Sequence, residues 1–351
     1  MKTIKVTASR NYSVLVGSGL LQELGAYAKS LTKAEKLAII SDSNVWPLYG
    51  SIAVASLENA GFRHIVPYVF PAGEESKNGE TYLSILNFLA ENKLTRSDCI
   101  IALGGGVVGD MTGFVAATYL RGIDYIQIPT TVLAVVDSSV GGKTAIDLPA
   151  GKNLAGAFYQ PKLVLCDIDT LDTLPEDIFR DGCAEIIKYG VLYDPQLFSH
   201  LQDNILDFDR ETVIARCIAL KRDVVAADEF DRGERQKLNL GHTIGHSVEA
   251  NSHFTISHGK AVAIGMAVVS RAAAKLGLCT VETAVVIEAI LSDFSLPTAT
   301  ADTAQAIYDG ALSDKKRFGG KVNLIVPTEI GSCIIHTVTT QELKTFIEAG
   351  L

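Results

Sequence analysis

The sequence predicts an α/β N-terminal domain with a mainly parallel, Rossmann-like sheet, followed by an all-α C-terminal domain. Short runs rich in valine and isoleucine alternate with apolar helical patterns as far as residue 167, an order typical of parallel sheets. A glycine-rich turn, GGGVVGD, joins one of these strands to a helix. From residue 175 onward long helical patterns replace the strands. We therefore expect a domain boundary near residue 178, with domains over residues 1–178 and 179–351.

The elements of the N-terminal domain follow from apolar runs bounded by turn residues. Residues 1–16 predict two short strands around Ser9–Asn11. The later elements are expected at Leu20–Leu31 (helix), Lys36–Ser41 (strand), Val45–Ala60 (helix), Arg63–Phe70 (strand), Gly79–Asn92 (helix), Cys99–Leu103, Asp124–Ile128 and Leu163–Asp167 (strands). Residues 129–156 are interpreted as a long segment between strands, and a loop of that length in a compact domain is usually functional or mobile.

The C-terminal half shows apolar residues at helical spacing with few strand signals. Helices are expected at Glu176–Leu192, Pro195–Leu206, Glu211–Ala227, Leu238–Asn251, His258–Leu276, Val281–Asp293 and Thr303–Leu312. A short β-like tail at Val322–Pro327 and Cys333–His336 precedes a last helix from Thr340.

Composition limits the kind of partner and the compartment. In a chain of 351 residues, a hydrophobic content of 48% is enough for two cores. The net charge of -9 argues against a broad nucleic-acid or anionic-membrane surface, so a small molecule is the expected partner. The six cysteines form no CxxC pair, which predicts reduced thiols and no thiolate zinc cage. The N-terminus lacks an apolar signal region, and we expect a soluble cytoplasmic protein.

The glycine-rich turn predicts a phosphate-binding loop. Gly104, Gly106 and Gly109 fit G-x-G-x-x-G between a strand and a helix, where glycines let backbone amides approach a pyrophosphate. A plain tight turn is the alternative. In the dinucleotide-binding fingerprint, an acidic residue about 20 residues after the glycines binds the ribose, and Asp124 lies at that distance. Asp124 is better interpreted as the start of a strand, so the ribose partner is expected elsewhere.

Polar residues also follow two other strands. Asp42 and Asn44 directly follow the strand Lys36–Ser41. Open α/β sheets bind ligands at this position, and helix caps are equally common there. Glu74 and Lys77 lie in the loop PAGEESK, where a solvated surface position is the more common outcome for charged residues.

The long segment of residues 129–156 concentrates charged and amide side chains among glycines. Asp137, Lys143, Asp147, Lys152 and Asn153 lie there. Small neighbours allow an anion to approach the two lysines closely, although a lysine is more often a solvated surface group.

A carboxylate and several histidines of the helical half predict a metal site. Glu185 lies in the segment CAEIIKYG, His242 and His246 are four residues apart in RQKLNLGHTIGH, and His258 opens HGKAVAIGM. A carboxylate with two imidazoles is the ligand set of a catalytic metal with open positions, and it would suit zinc or iron. His246 is either a further ligand or a free acid/base group or phosphate partner.

Cations crowd the same segments. Lys188, Lys221 and Arg235 stand close to the candidate ligands in sequence or on the preceding helix. Against a net-acidic background they predict an anionic substrate that carries phosphate and carboxylate groups. The alternative is that they are ordinary charges on helix faces.

Taken together, the segments resemble the 3-dehydroquinate synthase family of the sugar-phosphate cyclases, over nearly the whole chain. The resemblance rests on SDSNV, PAGEESK, GGGVVGD, YLRG, IPTT, VDSSVGGKTAID, GKN, AEIIKYG, RQKLNLGHTIGH, HGKAVAIGM and SDKK, in family order. It implies a dehydroquinate synthase-like fold, with NAD bound by the N-terminal domain and with metal and substrate bound by the helical domain. Two residues depart from the family pattern: many relatives have glutamate where this chain has Lys260, and the acidic residue upstream of the arginine is here Asp231 and not the longer glutamate.

The resemblance also implies roles for individual residues. The metal, zinc or cobalt or another divalent ion, would be held by Glu185, His242 and His258. NAD would be bound by Asp42, Asn44, Glu74, Lys77, Gly105, Gly106, Val107, Asp110, Thr130, Thr131, Lys152 and Thr173. The substrate would contact Arg121, Asp137, Lys143, Asn153, Lys188, Lys221, Arg235, Asn239, His246, and Lys315 or Lys316. Of these, His246, Lys143, Lys188, Arg235 and Asn239 would be catalytic.

The implied reaction converts 3-deoxy-D-arabino-heptulosonate 7-phosphate to 3-dehydroquinate and phosphate, a step of the shikimate pathway in aromatic amino acid biosynthesis. The family carries it out by metal-assisted transient oxidation with NAD, phosphate elimination, re-reduction and intramolecular aldol closure. The rival activities are another sugar-phosphate cyclase, a metal-dependent polyol dehydrogenase, and an NAD- or metal-sensing binding protein. A homodimer is expected, as is common in the family.

Overall fold

The computed structural model describes residues 1–253, 255–315 and 320–351, without the side chains of residues 313–315. The chain forms two compact units. The first contains Met1–Leu174 and Arg210–Phe230, and the second contains Pro175–Asp209 and Asp231–Leu351. The segment Arg210–Phe230, which the sequence analysis assigned to the C-terminal domain, therefore packs with the first unit. The functional division near residue 178 stays a prediction.

A seven-stranded sheet organises the first unit, as the alternating pattern predicts. The strands of the unit are β1 (Lys2–Val6), β2 (Tyr12–Gly17), β3 (Lys36–Asp42), β4 (His64–Phe70), β5 (Cys99–Gly104), β6 (Asp124–Pro129), β7 (Lys143–Leu148), β8 (Gly151–Phe158) and β9 (Leu163–Asp167). The order in the large sheet is β1-β2-β9-β6-β5-β3-β4, parallel except for the hairpin β1–β2. The parallel strands end at one edge, where such sheets bind ligands.

Residues 129–156 carry more regular structure than the sequence analysis expects. A π-helical turn spans Ala134–Ser138, and β7 and β8 form a separate antiparallel hairpin. The hairpin register shifts between Ile146 and Leu148, so Asp147 stands at the irregularity. Its small residues and exposed positions give a weak apolar pattern, which explains why the hairpin escapes prediction.

The helices are α1 (Leu24–Leu31), α2 (Trp46–Asn59), α3 (Gly79–Glu91), α4 (Gly106–Thr118), α5 (Glu176–Tyr193), α6 (Pro195–Asn204), α7 (Arg210–Ala227), α8 (His242–Asn251), α9 (His258–Lys275), α10 (Val281–Asp293), α11 (Ala304–Lys315) and α12 (Thr340–Gly350). The predicted helix Leu238–Asn251 begins later, at His242. Glu234–Asn239 forms a 3₁₀ turn instead, and Gly241 separates it from α8 with a φ of 78°, which glycine adopts at no steric cost.

Alternating side chains of the sheet build two separate cores in the first unit. Leu37 and Ile39 of β3 face the core that contains α1 and α2. Ala38 and Ile40, the intervening residues, face the core that contains α3 and α4. Both faces of the parallel strands are therefore buried, which accounts for their nearly continuous apolar sequences.

The second unit is organised around α9, whose side chains are buried along most of its length. α5, α8, α10 and α12 pack against it. The predicted β-like tail forms the antiparallel hairpin of β10 (Lys321–Glu329) and β11 (Ser332–Thr339). Within the described residues, no helix combines the length and apolar character that a membrane span requires.

Candidate active site

The predicted metal ligands meet in the second unit. Glu185 lies in the middle of α5 with an exposed fraction of 0%, and His242 and His258 are the first residues of α8 and α9. The Nε2 atoms of both imidazoles lie 3.7 Å from Oε1 of Glu185. One ligand atom from each residue lies within 4.8 Å of the others, a spacing that can hold a metal ion.

Acceptors on the far side of each imidazole orient these rings. Nδ1 of His242 lies 3.0 Å from the carbonyl oxygen of Leu240, and Nδ1 of His258 lies 3.5 Å from Oε2 of Glu249. Metal-binding histidines usually carry such a partner on the other ring nitrogen, because it fixes the tautomer and the ring direction. Glu249 is a residue that the sequence analysis missed, although its place one turn after His246 on α8 offered a weak signal.

The electrostatics of the two imidazoles differ. Burial, together with the nearby Lys188, holds the pKa of His242 well below its usual value. Burial also opposes protonation of His258, but its hydrogen bonds to Glu185 and Glu249 outweigh burial and raise its pKa to about 10. Negative charge is thus concentrated around His258, as suits a cation site, and a metal there would have to displace the proton.

His246 lies on α8 one turn beyond His242 and outside the group of ligand atoms found among the described residues. Its ring centroid lies 5.3 Å from that of His242 and 5.9 Å from that of His258. Of the two interpretations left open by the sequence, this placement favours an imidazole that lies beside the candidate metal ligands without binding the metal over a further ligand.

The two candidate cations of the second unit, Lys188 and Arg235, are not solvated charges on helix faces. Lys188 is 1% exposed and forms an ion pair with Glu185 one turn away on α5. Arg235 is 2% exposed in the 3₁₀ turn, and Asn239 is half-buried in the same turn. Burying a cation is costly unless it is compensated, and the carboxylate of Glu185 compensates Lys188.

The glycine-rich turn of the first unit lies where the motif predicts it. β5 ends at Gly104, Gly105 is the N-cap, and α4 begins at Gly106. A Cβ added at Gly105 would lie 3.2 Å from Cγ2 of Thr131. A small concavity lies at this turn, lined in part by Gly104, Gly105, Gly109 and Ser138. Backbone amides at a helix N-terminus beside such a concavity can bind a phosphate.

The two candidate ribose partners lie at opposite ends of their strands. Asp42 ends β3, and its Oδ1 accepts hydrogen bonds from the amides of Asn44 (2.8 Å) and Val45 (2.9 Å). Asp124 begins β6, where it forms ion pairs with Arg10 and Lys162. Since parallel strands bind ligands at their carboxyl ends, the position of Asp42 is the suitable one.

Lys77 is buried, with 4% exposure, in contrast to the surface position that loop composition favours. Its Nζ lies 2.7 Å from Oδ2 of Asp110 and 2.6 Å from Oδ1 of Asn153. Burial raises the pKa of Asp110 despite this lysine. Burial alone would lower the pKa of Lys77, but the charges of Asp110 and Glu74 outweigh it and raise that pKa.

Other predicted residues of the first unit lie as follows. Lys221 on α7 donates to Oδ1 of Asp137 at 2.7 Å, and Lys152 pairs with Glu74 at 3.1 Å. Thr173 shares a hydrogen bond with the hydroxyl of Tyr49. Thr130 is buried, Val107 and Thr131 are half-buried, and Arg121 and Lys143 are exposed. Lys316 and the side chain of Lys315 lie outside the described part of the chain.

Asp147 was noted in the sequence but given no role, and the structure gives it contacts in this region. Its Oδ1 accepts a hydrogen bond of 2.7 Å from the amide of Asn153, whose φ is 54°. Its own amide donates to the carbonyl of Lys77 at 2.8 Å. Asp147 therefore supports Asn153 in a left-handed conformation, which asparagine adopts more readily than most other non-glycine residues.

Family models match most of the chain. The 3-dehydroquinate synthase N-terminal model matches residues 67–181, and the corresponding C-terminal model matches residues 182–317. The 3-dehydroquinate synthase of Streptococcus suis (strain 05ZYH33) is 44% identical over 96% of this chain and 97% of its own length. That of Clostridium acetobutylicum is 43% identical over 99% of both chains.

Solved structures share the fold over the full length. The 2-epi-5-epi-valiolone synthase of Streptomyces hygroscopicus, with NAD+ and Zn2+ bound, has a TM-score of 0.89 and 27% identity, covering 99% of this chain and 98% of its own. A 2-deoxy-scyllo-inosose synthase complexed with carbaglucose-6-phosphate, NAD+ and Co2+ has a TM-score of 0.90 and 24% identity, covering 100% of both chains. Two consecutive family models and relatives similar along the whole chain lead to one conclusion: this chain belongs to the 3-dehydroquinate synthase family.

Proposed function

We propose that this protein is an enzyme that converts 3-deoxy-D-arabino-heptulosonate 7-phosphate to 3-dehydroquinate and inorganic phosphate. The observation that carries the proposal is the cluster of Glu185, His242 and His258, with the buried cation Lys188 against it, in a chain whose full-length relatives are 3-dehydroquinate synthases. Because phosphate leaves by elimination, the enzyme would be a carbon–oxygen lyase. We also propose a cytoplasmic homodimer with an NAD-binding domain over residues 1–178 and a metal- and substrate-binding domain over residues 179–351.

The donor set of the second unit fits a divalent cation such as zinc or cobalt. Glu185 would contribute a carboxylate oxygen, and His242 and His258 their Nε2 atoms, since both Nδ1 atoms face other acceptors. Two imidazoles and one carboxylate leave coordination positions open for a substrate. The chemistry that the bound ion supplies is polarisation of substrate hydroxyl groups, which makes them more acidic.

The first unit offers a fitting cradle for NAD. The turn Gly104–Gly106 would receive the pyrophosphate at the N-terminus of α4, and Asp42 would receive the adenosine ribose at the end of β3. The other proposed contacts are Asn44, Glu74, Lys77, Val107, Asp110, Thr130, Thr131, Lys152 and Thr173. The chemistry that bound NAD supplies is reversible hydride acceptance, so that the overall reaction consumes no cofactor.

Side chains of the second unit would bind the anionic groups of the substrate and transfer a proton. Lys188 and Arg235 would bind its phosphate or carboxylate, because buried cations attract anions more strongly than solvated ones do. Asn239 would donate a hydrogen bond from its amide nitrogen. His246 would accept and return a proton through a ring nitrogen while phosphate leaves. For the first unit, we propose that Arg121, Asp137, Lys143, Asn153 and Lys221 contact the substrate, and Lys315 or Lys316 completes the set.

The test is release of phosphate from the heptulosonate phosphate in the presence of NAD, with the absorbance of NADH followed in the same cuvette. We expect many turnovers of phosphate per enzyme without accumulation of NADH. A polyol dehydrogenase would accumulate NADH in proportion to product, and a binding protein would release no phosphate. Glucose 6-phosphate and sedoheptulose 7-phosphate serve as control substrates, since preference for either would replace the proposal with another cyclase activity.

The His246→Ala variant tests the division of roles within α8. We expect turnover to fall by about 100-fold or more, the usual contribution of a general acid/base, while zinc content stays at the wild-type level. Loss of zinc together with activity would make His246 a metal ligand instead. Metal analysis of the purified variant distinguishes the two outcomes.

A further inference from the structure

Asp181 lies on α5 one turn before Glu185, on the same face of the helix. Its carboxylate accepts hydrogen bonds from the hydroxyl of Ser257 and from the amides of Gly259 (3.2 Å) and Lys260 (2.8 Å). All three donors belong to the start of α9. A single side chain of α5 thus binds the first turn of the helix that begins with His258.

This carboxylate takes the place of an ordinary helix cap. The N-cap residue of α9, Ser257, makes no capping hydrogen bond with its own side chain, and its hydroxyl is turned to Asp181 instead. The first amides of a helix have no partner within the helix and need an acceptor from elsewhere. Asp181 supplies that acceptor from a different helix, 78 residues away from Gly259 in the chain.

The backbones of the two helices touch at the same point. A Cβ added at Gly259 would lie 1.9 Å from the carbonyl oxygen of Asp181, closer than any side chain permits. Glycine is therefore required immediately after His258. The close approach leaves the first turn of α9 little freedom to shift along α5.

We propose that Asp181 is a positioning residue of the metal site. Through α5 it ties the start of α9 to the helix that carries Glu185, so that Nε2 of His258 faces the Glu185 carboxylate. The inference rests on the proposed metal site. The new element is that Asp181, which is not itself a proposed ligand, sets the distance between the ligands Glu185 and His258.

The experiment measures zinc affinity by competition with a chromophoric chelator, at a temperature well below the melting temperature of each metal-free protein. In Asp181→Ala we expect zinc to bind about 10- to 100-fold more weakly, as is typical when a residue that supports a ligand is removed. Asp181→Asn keeps the size and one acceptor oxygen, so it should recover part of the affinity. It also preserves the test if the alanine variant does not fold.

The matched control is Asp194→Ala in the same unit. Asp194 follows the last residue of α5 and caps α6, accepting a hydrogen bond of 3.0 Å from the amide of Leu197. We expect it to lower the melting temperature but to leave zinc affinity unchanged. Wild-type affinity in both Asp181 variants, or an equal loss in Asp194→Ala, would overturn the inference. Failure of the wild-type protein to bind zinc would instead overturn the proposed metal site.

Discussion

The two units hold their functional charges in different ways. In the first unit, side chains from different elements meet one another, as when Lys77 of a loop contacts Asp110 of α4 and Asn153 of β8. In the second unit, the proposed ligands lie within or at the start of helices, and backbone groups next to them take part, as when the carbonyl oxygen of Leu240 lies 3.0 Å from Nδ1 of His242. The first arrangement depends on the balance of charge between buried side chains, and the second on the packing of helices against one another.

This difference predicts different responses to mutation. A change in the first unit should disturb the balance between charges and therefore depend on pH, whereas a change in the second should disturb geometry and appear in metal affinity. In both units the largest mutational effect is expected at a residue with several partners, because its loss leaves several buried groups uncompensated.

The largest effect is expected for Glu185→Gln. The substitution keeps the shape of the side chain but removes the only carboxylate of the proposed ligand group found among the described residues. Since a Lewis-acid metal contributes several kcal/mol to a rate, turnover should fall at least about a thousand-fold, or ~4 kcal/mol. The measurements are steady-state phosphate release and zinc content.

Glu176→Gln, the same change in the exposed first turn of α5, is the control and should keep wild-type turnover. If Glu185→Gln retained full activity after chelation and without added divalent ion, the helix-borne cluster would not be the metal site.

The next largest effect is expected for Lys77→Met in the first unit. The variant removes the 2.7 Å ion pair between Lys77 and the carboxylate of Asp110. The Asp110 side chain is only 19% exposed, so water compensates its charge poorly. We expect unfolding free energy to fall by about 2 kcal/mol, less than for a fully buried pair. Lys162→Met, which removes a more exposed ion pair with Asp124, should cost about 0.5 kcal/mol or less. Urea denaturation of both variants measures the difference.

The loss in Lys77→Met should depend on pH. Burial raises the pKa of Asp110, so between the ordinary pKa of an aspartate, about 4, and the raised pKa of Asp110 the folded protein binds more protons than the unfolded chain and loses stability as pH rises. Removing Lys77 takes away the positive charge that opposes this effect. The variant should therefore be closest to the wild type in mildly acidic buffer and furthest from it at neutral pH. A difference that shrank as pH increased would contradict the charge-balance account of the first unit.

Local patterns predicted the sheet and the meeting of Glu185, His242 and His258, because alternating strands and the motifs that hold these three residues are visible along the chain. Contacts between residues distant in sequence that no motif marks were not predictable. The bond from Ser257 to Asp181 spans 76 residues, and Glu249 gains its place only once α8 and α9 pack together. The start of α8 was misplaced because only the left-handed turn at Gly241 reveals where the helix begins.

A smaller effect is expected for Gly105→Ala. The backbone of Gly105 has a φ of -74°, which alanine adopts readily, and the nearest atom to the added Cβ is a threonine methyl group at 3.2 Å that can move slightly. Stability without ligand should therefore change little. The methyl group would keep a pyrophosphate from the backbone, so NAD should bind about tenfold more weakly, or ~1.4 kcal/mol.

Isothermal titration with NAD measures that affinity, and the melting temperature of the ligand-free variant serves as the control. An unchanged affinity would mean that the glycine-rich turn is only a tight turn between β5 and α4.

The smallest effect is expected for Lys260→Glu, which restores the residue that the family pattern has at this position. The cap of α9 uses the backbone amide of Lys260 and not its ammonium group, and that amide is unchanged by the substitution. An acidic residue in the first turn of a helix is also favourable, by ~0.3–1 kcal/mol, which offsets repulsion from Asp181. Zinc affinity should therefore stay within about twofold of the wild type, because packing and backbone groups position His258. The same chelator competition as for Asp181 measures this affinity. A larger change would show that side-chain charge, and not only helix packing, controls zinc affinity in the second unit. The two units would then no longer differ in how they hold their functional groups.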